Sequence, residues 1–178
     1  EGTSEIMEMT IYRGRWQEHL KTRGGYYTDI AGEMDALHAQ KPGAGAEAAA
    51  LALRALAAVM ESCRVHKLTR HQYVTFKLGN LIAMGELAYV FSRAAAKEKY
   101  SEGVRFDAEA LQAMARVYAR NAAFRIALEG LALVTGAAES PGNLAEAVNL
   151  SAIQAAQKGL IADMDLVAAK LNQTFKAK

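Results

Sequence analysis

A chain of 178 residues and 19.2 kDa can bury a core of its own and is the size of one domain. Its net charge of +2 and pI near 8.7 are too mild to mark a nucleic-acid binder, and no apolar run approaches the roughly 20 residues a membrane span requires. A single cysteine, Cys63, excludes an internal disulfide and, with no secretory apolar segment at the start, points to a reducing cytoplasmic compartment. Hydrophobic residues make up 52% of the chain, chiefly Ala, Leu and Met, with only Pro42 and Pro141 as imino breaks. Unbranched side chains lose little rotamer freedom in a helix, so the composition predicts an all-α protein.

The first helix is expected over Ser4 to about Arg23, capped by Thr3 or Ser4. Glu5 and Glu8 lie near its start and His19, Lys21 and Arg23 near its end, an order that complements the helix dipole. Ile6, Met9, Arg13, Trp16 and Leu20 recur at helical spacing, with Met7 and Ile11 beside them, and Gly24-Gly25 ends the run. A short helix follows from Thr28 or Asp29 to about Gln40. Lys41-Pro42-Gly43-Ala44-Gly45 reads as a linker, which divides the chain into residues 1–40, a 41–46 connection and a bundle over 47–178.

The third helix runs from Ala46 to Leu68, with Leu53, Leu56, Met60 and Cys63 on one face and Ala52, Ala55 and Val59 beside it. Thr69 caps a fourth, to about Lys97, with one seam of Leu78, Leu81, Gly85, Ala88 and Ser92 and a second of Met84, Leu87 and Phe91. Asp107 caps a fifth whose inward residues are read as Met114, Val117, Tyr118, Asn121, Phe124, Leu128 and Leu131. Asn143-Leu144-Ala145-Glu146 is an Asx-x-x-Glu capping pattern opening the last stretch, which hinges at Gly159. About five to six helices joined by short loops predict an up-down bundle.

The opening stretch Glu1-Gly2-Thr3-Ser4-Glu5-Ile6-Met7 resembles the E-G-T-[SN]-[EQD]-I motif at the last helix of the acyl-CoA dehydrogenase flavoprotein fold. A chain that starts at Glu1 without an initiator Met is expected to be the C-terminal part of such an enzyme. Gln72 to Ile82, continuing to Ser92-Arg93-Ala94, and the preceding Leu53-Arg54-Ala55-Leu56 helix are similar to the helical extension of very-long-chain members. The resemblance implies that Glu1 is the catalytic base, taking the proton alpha to the thioester as hydride leaves the beta carbon. Such a base needs a pKa raised by a dry, apolar site. It further implies that Gly2 lines the substrate thioester, that Thr3, Ser4 and Glu5 contact the FAD cofactor at a helix N-terminus, and that Glu5 stands where some members have Gln. Acyl-CoA, electron-transfer flavoprotein and a homo-oligomeric parent are the implied partners. The 41–46 region has no basic amphipathic run, which argues against the membrane association of some relatives of this type.

Two other readings stand beside this one: a free-standing helical interaction module, and the DNA-binding alkylation-response branch of the same family, against which the near-neutral charge weighs. Cys63, His66 and His71 lack the fourth ligand and the spacing of a zinc site. Arg13, Arg15, Lys21 and Arg23 read as a solvated face, and Arg116, Arg120 and Arg125 make no patch.

Overall fold

The computed structural model describes residues 4–97, 106–138 and 142–176. Among them are eight α-helices and two short 3-10 turns, with no strand: α1 (Ser4–Lys21), α2 (Gly25–Gln40), α3 (Ala46–Val65), α4 (Gln72–Ala95), α5 (Ala108–Ala137), α6 (Leu144–Ala147), α7 (Leu150–Ala155) and α8 (Leu160–Lys176). The protein is an all-α helical bundle. One hydrophobic core joins Tyr12 of α1 and Tyr27, Ala31 and Met34 of α2 to the apolar faces of α3, α4 and α5.

The boundaries differ from the sequence reading where local hydrogen bonds decide them. Arg23 and Gly24 adopt left-handed backbone, and α2 begins at Gly25 rather than Thr28 because the Tyr26 N–H donates to Thr22 Oγ1 at 3.0 Å. Thr28 lies inside the helix, where its hydroxyl donates to the Gly25 carbonyl. Thr69 does not cap α4. It sits in a 3-10 turn (Leu68–Arg70), and the extended residue His71 precedes the helix without a side-chain cap. Asp107 caps α5 as expected, its carboxylate accepting from the Ala110 N–H at 2.8 Å. Asn143 makes no side-chain cap; Asn149, in left-handed conformation, caps α7 instead. The last stretch is thus broken at Asn149 as well as at Gly159 (φ 85°).

The expected linker is a packed turn. Pro42–Ala44 form a 3-10 turn, Ala44 is buried, and a Cβ on Gly45 would lie 3.0 Å from the Ala115 carbonyl. The elements on its two sides share the same core.

Two close approaches set the layout. A Cβ on Gly79 of α4 would meet the Glu8 carbonyl oxygen at 2.2 Å, so α1 rests directly on the α4 backbone. A Cβ on Gly130 of α5 would meet Val59 Cγ2 at 2.3 Å, and the α3–α5 seam around it is largely alanine: Ala49, Ala52 and Ala55 against Ala119, Ala122 and Ala123 are all buried. The inward face expected for α5 is therefore corrected. Asn121, Phe124 and Leu128 are exposed, and Met114, Val117, Tyr118 and Leu131 only half-buried. The core takes Ala119, Ala123, Ile126, Ala127 and Val134, because small residues on both helices let the backbones close up. On α4 the first seam is buried throughout, whereas the second opens outward at Leu87, 55% exposed. On α1, Met9, Ile11 and Trp16 of the expected stripe pack half-buried against the core, Ile6, Met7, Arg13 and Leu20 are exposed, and the fully inward residues are Tyr12 and His19. The faces predicted for α3 are buried as read.

α8 is held to α5 by charge. Asp163 lies between Arg116 and Arg120, both paired with it. Arg116 also donates to the Gly43 carbonyl at 2.7 Å, and Arg120 to the Ala156 carbonyl at 2.8 Å. The two arginines that looked scattered in sequence thus converge on one carboxylate, which they hold below the usual Asp range. By length and composition alone α4 could cross a membrane, but it lies within the bundle against α1, α3 and α5.

Candidate functional site at the start of α1

Glu1, Gly2 and Thr3 lie outside the described residues. Ser4 and Glu5 form the first turn of α1 and are both exposed, as are Ile6 and Met7 beside them, each at 57%. The leading N–H groups of a helix have no intrahelical acceptors, so this turn offers donors and the positive end of the dipole to an anionic group.

What fixes the direction of this turn is built further along α1. The Glu8 backbone rests on Gly79, and the Asn80 amide donates to the Glu8 carboxylate at 3.4 Å. Next, Arg15 forks onto Glu86 of α4, with Nη2 to Oε2 at 3.1 Å. Tyr27, fully buried on α2, donates its hydroxyl to the same carboxylate at 3.0 Å. Burial and the adjacent Glu86 push the Tyr27 hydroxyl far above its ordinary pKa, so it stays a donor. A charged carboxylate accepting from an Arg and a Tyr is among the stronger polar ties a bundle can make. It joins three helices at one point.

At the far end of α1, His19 is fully buried. Its Nε2 lies 3.2 Å from Glu61 Oε2, its ring stacks on Trp16 at 5.4 Å, and Nδ1 has no partner among the described residues. Burial lowers its pKa below the ordinary value, against the opposing pull of Glu61. Glu61 is in turn held by Arg64 through two hydrogen bonds of 2.8 and 2.6 Å.

Neither network was legible as such in the sequence, where Arg15 read as part of a solvated face and His19 as one of the basic residues near the end of α1. A weak signal existed in Tyr27 and Glu86, polar groups at positions whose helical neighbours are apolar.

The residues weighed as metal ligands stay apart in character. Cys63 is buried and its thiol is pushed up to about 12, whereas His71 is exposed. Among the described residues no three His, Cys, Asp or Glu side chains gather as a metal site. No family model, no curated protein and no solved structure matches this chain.

Proposed function

We propose that this chain is the C-terminal part of a flavin-dependent acyl-CoA dehydrogenase, which oxidises an acyl-CoA to the trans-2-enoyl-CoA. The observation that carries the reading is the run Glu1-Gly2-Thr3-Ser4-Glu5-Ile6 leading directly into α1. The exposed apolar side chains Ile6, Met7 and Leu20 support it, because they supply surface for further chain to pack on.

On this reading the Glu1 carboxylate removes the α-proton, Gly2 lies against the thioester, and the α1 N-terminal turn with Thr3, Ser4 and Glu5 meets the cofactor. FAD, when bound in the parent, accepts the hydride that leaves the β-carbon. The polar ties of Arg15 and Tyr27 to Glu86 hold α1 in place, and a positioned base works only within hydrogen-bond reach of its proton.

The test is made on the longer flavoprotein that carries this sequence. Glu1→Gln keeps the shape of the side chain and cannot take a proton. Flavin content and fold should be unchanged while turnover falls on the order of a hundred- to ten-thousand-fold. Near-normal turnover of an acyl-CoA by that variant would place the base elsewhere. The 178-residue chain alone should retain no flavin and turn over no acyl-CoA.

A further inference from the structure

We propose that the furrow between the first half of α4 and the last turns of α5 binds a single-chain anionic amphiphile, an alkyl carboxylate, independently of the chemistry assigned to Glu1. The furrow has a volume of about 690 Å³, within the range of small-molecule sites. Its floor is apolar, made by Val74, Leu81 and Leu133, and its rim carries His71, Lys77 and Arg125 with a single carboxylate, Glu129. Arg125 and Glu129 satisfy each other one helical turn apart, Nε to Oε1 at 3.0 Å. Lys77 has no carboxylate partner among the described residues. Its ammonium stands 5.9 Å from the Tyr73 ring centroid, which keeps it at the mouth. One uncompensated cation above an apolar floor fits a carboxylate head and a hydrocarbon tail, and suits neither a cation nor a fully polar anion such as phosphate.

α4 and α5 run antiparallel here, since Phe91 meets Tyr118 and Gly85 meets Ile126 while Lys77 and Leu81 share the furrow with Glu129 and Leu133. Along α4 the lining runs from His71 to Leu81, ten residues of helix or about 15 Å at 1.5 Å per residue, and along α5 from Arg125 to Ala137. The head meets Lys77, and the tail lies within that length on Val74, Leu81 and Leu133.

Dodecanoate below its micelle concentration is the probe, measured by calorimetric titration of the whole chain, with dodecanol as the uncharged control. Saturable one-to-one binding is expected, with dodecanol at least about tenfold weaker. Lys77→Glu should weaken dodecanoate by about tenfold or more. Gly136→Leu gives a second, steric test. A Cβ at Gly136 meets nothing within 4 Å, so the helix accepts the side chain and the furrow mouth fills. It too should weaken binding by about tenfold or more while the circular dichroism spectrum and Tm hold. Absence of saturable binding, equal affinity for dodecanol, or parental affinity in either variant overturns the proposal.

Discussion

His19 sits buried between Trp16 and Glu61, and its behaviour with pH follows from that burial. Burial lowers its folded-state pKa below the unfolded value of about 6.5, so a proton binds the unfolded chain more readily. The contribution is neutral above the unfolded pKa, and stability is lost as pH falls below it, until the folded-state pKa is passed. Urea midpoints at pH 7.5 and 5 should therefore drop for the parent chain and drop less for His19→Gln; an equal drop in both would show that His19 titrates freely in the folded chain. At this scale the sequence was partly legible. Asp107 announced itself as a cap because Asx before a helix accepts from the third N–H, and the bond is there. Asn143 carried the same local pattern and makes no such bond, because the chain turns again at Asn149 after a single helical turn. His19 was opaque: its burial comes from Trp16 stacking and from α3, and neither is encoded in the spacing along α1.

The elements meet through small residues as often as through large ones. Gly130 faces Val59 so closely that Gly130→Ala should cost about 1–3 kcal/mol, the added methyl having only the Val59 side chain to displace. Val59→Ala in the same chain should recover part of that loss, which denaturant unfolding of the two single variants and the double variant would measure. Additive losses would mean that the two side chains do not meet. This seam also explains why the inward face of α5 was misread. Periodicity weights large apolar residues, and α5 has Met114, Val117, Phe124 and Leu128 along one side. The side that packs is marked by alanines, which give little signal by themselves, and α3 presents alanines to match. On α3 itself the large and small residues lie on one arc, so there the face was readable.

For the whole molecule, the decisive fact is that α1 and α2 share one core with α3, α4 and α5. The Lys41 to Gly45 turn, which looked like a boundary, is pinned by Ala44 burial and by the Gly45 approach to Ala115. The chain should therefore unfold in one cooperative transition without any cofactor, with far-UV and near-UV circular dichroism changing together. Two transitions, with Trp16 reporting one and the bulk helix signal the other, would show residues 1–40 to be a separate unit. All-α architecture was legible from composition because nothing in the chain favours strand. The close seating of α1 on α4 and of α3 on α5 was not, since it rests on Gly79 and Gly130, residues that a helical pattern counts as weaknesses.

The alanine seam between α3 and α5 has a mechanical consequence. An alanine side chain has no rotamer to lose on folding and none to change afterwards. A seam of leucines can absorb a displacement of one helix by side-chain rearrangement, leaving its neighbour in place. Here Ala52 and Ala55 of α3 and Ala119, Ala122 and Ala123 of α5 are buried in the shared core, and a Cβ on Gly130 would meet Val59 Cγ2 at 2.3 Å. At those positions a displacement of α5, whether from the furrow beside α4 or from the charged attachment of α8, finds little side chain to rearrange and passes to α3 through the backbone.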